Sequence, residues 1–303
     1  MRILITGASG QVGTELQRQL VGVADAVAVT RQQLALDDPD AIRNVIRSLQ
    51  PEVILNAAAY TAVDQAEQDE AAATAVNADA FAVMAHEAAA RGALLIHYST
   101  DYVFDGTLHS RPYVESDPVA PVNAYGRSKL AGEQALQESR ADWLCLRTSW
   151  VYAPHGKNFF LTMIRLMRER EQLRVVSDQF GSPTSSAMIA RSTVRAMKAA
   201  LEERRTGRFR PEILHMTAAG STSWHGFAAA ISERLRAAMP VKVRSIEAIP
   251  ASAYPVPARR PENSRLDCSS FQARFDCDLP HWSAGLDEVF DAWLALDRLS
   301  VSS

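Results

Sequence analysis

Short apolar runs and longer amphipathic stretches alternate through the first half of the chain. The runs at 3–5, 26–29, 53–56, 94–99 and 144–147 are aliphatic and β-branched, and read as strands. Between them, residues 12–20, 39–49, 70–91 and 125–138 carry helical patterns. In the first, Val12, Leu16 and Leu20 recur every four residues and form one apolar face. Strands written as continuous apolar runs are covered on both faces, and intervening helices supply parallel crossovers. The pattern predicts an α/β fold, a doubly wound parallel sheet of the Rossmann type.

After about Trp150 the pattern loosens. A strand followed by a Gly/Pro loop spans 173–184, a helix 187–201, and a late strand of the main sheet 215–217. An amphipathic helix at 227–238, a Pro-rich stretch at 249–261 and a final helix at 286–296 follow. Residues 1–150 are therefore expected to form a dinucleotide-binding domain to which 185–220 return. Residues 151–184 and 221–303 would form a smaller C-terminal substrate-binding lobe over the carboxyl edge of the sheet.

Composition narrows the partners. A formal net charge of -3 argues against nucleic acid or an anionic membrane as main partner. No apolar run approaches the roughly 18 residues of a membrane span, and the chain enters a strand directly after Arg2, without the apolar segment of a signal peptide. Cys145, Cys268 and Cys277 are scattered without metal-ligand spacing. Reduced thiols in a cytoplasmic protein are the expectation.

The first strand runs into TGASGQVG at 6–13. Gly7 and Gly10 would allow a tight turn and close backbone approach to a pyrophosphate, with Gln11 and Val12 opening the helix whose positive end faces it. Where many such folds carry a carboxylate for the ribose, this chain reads Ala28-Val29-Thr30-Arg31. Arg31 suits the 2′-phosphate of NADPH, with NADH as the alternative and a solvated surface arginine as the competing reading. Asp37 and Asp38 would bound an adenine pocket. Ala57, Ala58 and Ala59, leaving the third strand, are small enough for a cofactor to lie close, or for close helix packing.

Tyr125 and Lys129 lie four residues apart, on one helix face. An ammonium beside a phenol favours the phenolate and would bring the tyrosine into range for proton exchange. The spacing alone is common; a preceding dinucleotide loop and the Ser99-Thr100-Asp101 strand end give it weight. A hydroxyl there would face the same cleft and hydrogen-bond a reacting carbonyl, or simply cap the strand.

Further blocks run the length of the chain: NAAAYTAVDQAE at 56–67, HYSTDYVFDG at 97–106, NAYGRSKLAGE at 123–133, LRTSWVYA at 146–153, DQFGSPT at 178–184 and RPENSRLD at 260–267. With TGASGQVG they make the chain resemble the extended short-chain dehydrogenase/reductases and, within them, the dTDP-4-dehydrorhamnose reductase family. The resemblance implies reduction of the 4-keto group of dTDP-4-dehydro-L-rhamnose to dTDP-L-rhamnose, with Thr100, Tyr125 and Lys129 catalytic, Tyr125 protonating the oxygen and Lys129 also holding the nicotinamide ribose. Ser99, Asp101, Tyr102, Trp150 and Asn158 would line the sugar pocket, and one of Arg259, Arg260 and Arg265, with Arg259 favoured, would grip the diphosphate.

Some members of that family are described as metal-bridged dimers. Glu15 matches one glutamate position, but the helix after DQFGSPT opens Ser185-Ser186-Ala187-Met188 without a carboxylate. No metal is expected, Glu15 is expected on a solvated helix face, and the assembly is expected to be a monomer or homodimer. Two other readings compete: a silent NADP-binding subunit like the regulatory β subunit of methionine adenosyltransferase, and a reductase or epimerase of another sugar nucleotide.

Overall fold

The computed structural model describes residues 1–301, with side chains as far as Leu299. The first half runs β1 (Arg2–Thr6), α1 (Gln11–Leu20), β2 (Asp25–Val29), α2 (Pro39–Leu49), β3 (Val53–Asn56), α3 (Val63–Ala66) and α4 (Glu70–Thr74), then a π turn at Ala75–Asp79, α5 (Ala80–Arg91), β4 (Leu94–Thr100), α6 (Ala124–Gln137) and β5 (Asp142–Thr148). The second half runs β6 (Val151–Tyr152), α7 (Phe159–Glu169), β7 (Gln172–Val176), β8 (Phe180–Gly181), β9 (Thr184–Ser185), α8 (Ser186–Arg205), β10 (Glu212–His215), β11 (Thr222–Ser223), α9 (Trp224–Ala238), β12 (Ser245–Ile249), α10 (Ser269–Phe275) and α11 (Trp282–Val301).

Six strands form the main sheet in the order β10-β5-β4-β3-β1-β2, and all five pairings are parallel. Alternation within each strand feeds two cores. Ile3, Ile5 and Ile96 face α1 and α8, whereas Leu4, Ile54 and Leu95 face α2 and α5. This is the doubly wound plan that the apolar runs predict. A third core joins α7, α9 and α11 through Tyr152, Phe160, Phe227, Ile231, Leu286 and Trp293. Among the described residues, no helix is long and apolar enough to cross a membrane.

Three departures from the sequence pattern have physical causes. The expected late strand at 215–217 instead spans Glu212–His215, so His215 ends it, and Met216 N–H reaches the Arg147 carbonyl at 2.8 Å. The segment around α10, expected in the lobe, sends Phe271 and Phe275 into the α1/α8 core. The helix expected at 70–91 is interrupted by the π turn, where Asn77 is fully buried. Its side-chain amide donates to Tyr60 O and Ser128 Oγ, both at 3.0 Å, and its Oδ1 accepts from Tyr60 N–H at 2.9 Å. The inserted residue turns Asn77 inward, which an Ala-rich run cannot signal by periodicity.

Helix α6 lies directly on this π turn because Gly132 has no side chain. A Cβ there would stand 2.2 Å from the Asn77 carbonyl oxygen. Gly132→Ala must push α6 outward, at a cost of about 1–3 kcal/mol as for other overpacked interiors. Urea unfolding should show a lowered midpoint; a midpoint equal to wild type would contradict the close approach.

Candidate active site

The cofactor cradle sits at the carboxyl ends of β1 and β3, where the strand order reverses and open α/β sheets leave a crevice. Gly7 has φ +71, and a Cβ on it would meet Ala58 N at 2.7 Å, so the loop after β1 touches the loop after β3 through backbone alone. The two are also tied by the buried hydrogen bond from Thr6 Oγ1 to Asn56 Oδ1, which in turn accepts from Ala58 N–H at 3.2 Å. Gly10 N–H closes the turn on Gly7 O at 2.9 Å. Helix α1 has no side-chain cap at Gly10 and no acidic residue in its first turn, which leaves its leading N–H groups and positive pole to an anion. These residues fit the pyrophosphate of a dinucleotide.

Around the cradle, Val12 packs against the sheet core, and Ala57, Ala58 and Ala59 are half-buried. Arg31 is exposed just beyond β2, and Asp37 is exposed in the following loop. The Asp38 carboxylate accepts from Asp40 and Ala41 N–H at 3.0 Å each, so it caps α2.

Alternation at the end of β4 separates the two hydroxyls expected in the cleft. Ser99 Oγ donates to Glu133 Oε1 at 2.5 Å in the interior. Thr100 is the one close enough to the Tyr125 phenol to oppose its upward shift; its hydroxyl donates to Asp101 Oδ1 at 3.0 Å and accepts from Tyr102 N–H at 3.2 Å. Ser99 thus supports α6 instead of facing a ligand.

Helix α6 starts where two side chains receive its free N–H groups. Asn123 Oδ1 accepts from Gly126 N–H at 2.8 Å, and Glu67 Oε1 accepts from Ala124 N–H at 2.7 Å. Asn123 Nδ2 also donates to Arg259 O at 2.8 Å, fastening the Pro-rich segment over α6. One turn in, the buried Lys129 ammonium donates to Tyr98 O at 2.7 Å and meets His97 Nε2 at 2.9 Å. Burial pushes its pKa down to about 8.

The expectation that Lys129 lowers the pKa of Tyr125 is corrected here. Burial pushes the phenol up, Thr100 opposes this, and Asp101 adds to the rise. The ammonium is held by acceptors on β4. Tyr125 is therefore a neutral phenol at physiological pH, the state from which a proton is given.

Glu133 and Arg147 form a buried bidentate pair at 2.9 and 2.7 Å, with side chains 1% and 4% exposed. Arg147 lies over the Phe104 ring at 5.0 Å and within 3.4 Å of His215 Nε2. No motif in the sequence marks this pair. Its signals are an arginine inside an otherwise apolar strand and a carboxylate four residues after Lys129 on the same helix.

Next to Thr100, Asp101 is 3% exposed and its Oδ2 has no hydrogen-bond partner. Burial pushes its carboxyl up to about 7, against the Ser264 and Thr100 hydroxyls. Tyr102 packs edge-on to Tyr125 at 5.8 Å and neighbours Arg260, which pairs with Asp64 at 2.8 Å. Arg265 is committed to Asn263 Oδ1 at 2.8 Å and His109 O at 2.7 Å. Arg259 is exposed, and among the described residues no partner engages its guanidinium. Trp150 has φ +48, a strained conformation for a bulky residue, and stacks on Trp224 with centroids 3.4 Å apart. Asn158 caps α7 at Leu161 N–H and donates to Gln11 Oε1, Ala153 O and His155 O, so it clasps the cofactor loop from within the protein. Glu15 is 5% exposed and paired with Arg18 at 2.8 Å, not solvated as expected.

A parallel six-stranded sheet, a glycine cradle at its switch point and a Thr-Tyr-Lys set beside it define the class of the short-chain dehydrogenase/reductases. Comparison with known proteins is more specific. The RmlD substrate binding domain family matches residues 1–294, and the chain belongs to that family. It is 52% identical over 285 residues to a dTDP-4-dehydrorhamnose reductase of Burkholderia thailandensis, covering 93% of this chain and 95% of that one. The dTDP-4-dehydrorhamnose reductase structure of Clostridium acetobutylicum superimposes with a TM-score of 0.88 at 34% identity, covering 96% and 99% of the two chains. That of Bacillus anthracis, solved with NADP, gives 0.87 at 34% identity and the same coverage.

Asp101 has a measurable signature. Its folded pKa of about 7 lies above the ordinary carboxyl value near 4, so its contribution to stability is full below pH 4 and is lost as pH rises through 7. Asp101→Asn, which keeps the neutral shape, should flatten the fall in unfolding free energy between pH 5 and 8 by about 2–4 kcal/mol. A pH dependence identical to wild type would refute a buried, protonated Asp101.

Proposed function

We propose that the chain catalyses the NADPH-dependent reduction of the 4-keto group of dTDP-4-dehydro-L-rhamnose to dTDP-L-rhamnose. The observation that carries this is the neutral, buried Tyr125 phenol close to Thr100 at the end of β4, beside a cradle that fits a dinucleotide. The activity named for the relatives and the NADP bound in the Bacillus anthracis structure support the substrate and cofactor.

In this reading residues 1–150 with 185–220 hold the nucleotide cofactor, and 151–184 with 221–303 supply the sugar side. Gly7, Gly10 and the first turn of α1 take the pyrophosphate, with Ala57, Ala58 and Ala59 alongside and Arg31 at the 2′-phosphate. Bound there, NADPH supplies a hydride to carbon 4. Tyr125 gives its proton to the carbonyl oxygen, and Thr100 aims the phenol. Lys129 spends two of its three N–H groups on Tyr98 and His97, which leaves one for the nicotinamide ribose. Asp101, Tyr102 and Trp150 line the sugar, and Arg259, with no partner for its guanidinium among the described residues, takes the diphosphate. Ser99 and Asn158, both committed inside the protein, position α6 and the cofactor loop. Three unpaired cysteines agree with work in the cytoplasm, where thiols stay reduced; the assembly is a monomer or homodimer.

Purified protein given NADPH and dTDP-4-dehydro-L-rhamnose should oxidise the cofactor, faster than with NADH. Tyr125→Phe should lose about 100-fold or more of that rate with its circular dichroism unchanged, the scale of a missing general acid. No cofactor oxidation by the wild type would overturn the proposal, and turnover of a different dTDP-4-keto sugar in its place would reassign the substrate.

A further inference from the structure

The mechanism above counts His97 only as one acceptor of Lys129, yet it lies in the interior, fully buried, between β3 and β5. Its Nε2 stands 2.9 Å from Lys129 Nζ. The Phe81 ring covers the imidazole at 3.7 Å and also faces the ammonium at 5.5 Å. Nδ1 is sealed from solvent and has no hydrogen-bond partner among the described residues, and the Asn56 backbone only opposes the downward shift of the ring. Burial and the adjacent ammonium hold His97 well below its usual pKa, so the ring is neutral. A neutral imidazole has one lone pair; facing an ammonium, that lone pair is on Nε2 and the ring proton is on Nδ1.

We infer that His97 is the positioning residue for Lys129: its Nε2 lone pair, with the Tyr98 carbonyl, fixes the ammonium in its charged form at the floor of the site. This rests on the reading of Lys129 as a catalytic residue.

The other groups facing Lys129 leave this task to His97. From β5 comes Cys145, whose thiol burial pushes up and keeps neutral. From α6 itself comes Glu133, one turn on, already engaged by both Arg147 and Ser99. From α5 comes only the uncharged Phe81 ring. The Tyr98 carbonyl is a fixed backbone acceptor that no substitution removes, so the one adjustable acceptor on Nζ is His97. A buried ammonium that loses a hydrogen bond of this kind shifts toward its neutral form. A neutral amine is a weaker donor to a ribose.

The chain has only four lysines, Lys129, Lys157, Lys198 and Lys242, so the titration of Lys129 can be read directly by carbon NMR of labelled lysine. In His97→Leu, Lys129 should titrate about one pH unit or more below its wild-type value. His97→Gln, whose amide oxygen replaces the acceptor, should restore most of that shift. The alkaline limb of NADPH oxidation should move by the same amount in the same direction, with a larger change in kcat than in KM for the sugar. An unchanged Lys129 titration in a folded His97→Leu protein would overturn the inference. Should that variant not fold, nitrogen NMR of wild-type His97 decides: Nδ1–H with a bare Nε2 supports the role, and a proton on Nε2 overturns it. A wild type that oxidises no NADPH would sink the reductase reading alone, since the titration and the tautomer are read without turnover.

Discussion

The ion pair between Glu133 and Arg147 is the contact on which the site depends. It carries opposite charges into a region where neither would be tolerated alone, and it joins α6, the helix of Tyr125 and Lys129, to the end of β5. Ser99 adds a hydrogen bond from β4 on one side, and His215, pushed down to about 3 by burial and Arg147, adds a neutral ring from β10 on the other. Three adjacent strands and one helix are thus fixed to a single pair of side chains. Lys129 lies one turn before Glu133 and Tyr125 two turns before it, so fixing that carboxylate fixes both.

The remaining contacts of α6 explain why the helix arrives at this place. Its N-terminus is held by Asn123 and Glu67, and Asn123 in turn holds the carbonyl of Arg259 from the Pro-rich segment. Its middle lies against the π turn around Asn77, at a distance that only glycine permits at position 132. The same economy recurs at the cofactor cradle, where Gly7 lets one backbone rest on another and leaves the open end of α1 to an anion. Tyr125 and the cofactor cradle therefore come together through close backbone packing, while the charges beneath them are satisfied below the surface.

Much of this was legible in the sequence. Apolar runs give five of the six strands within a few residues, because a strand buried on both faces has little other way to be written. The glycine loop and the Tyr125–Lys129 spacing mark the site, because a tight turn and a helix face each demand fixed intervals. What stayed hidden depends on where side chains turn after the backbone is set. Ser99 and Thr100 are neighbours in sequence and point to opposite sides of β4. Lys129 shares a helix face with Tyr125, but its ammonium is taken by His97 and Tyr98 from another element. Asn158 reads as a pocket residue and is used up in four internal hydrogen bonds. Glu15 reads as a solvated charge and is buried beside Arg18.

The most direct test of the central pair is a double-mutant cycle on unfolding free energy, using Glu133→Gln, Arg147→Met and the two combined. Each single substitution leaves its partner buried and alone, and should cost about 3–5 kcal/mol. The combined substitution should cost several kcal/mol less than the sum of the two, because no uncompensated charge remains. Additive costs, or single variants within about 1 kcal/mol of wild type, would contradict the claim that this pair anchors the catalytic helix.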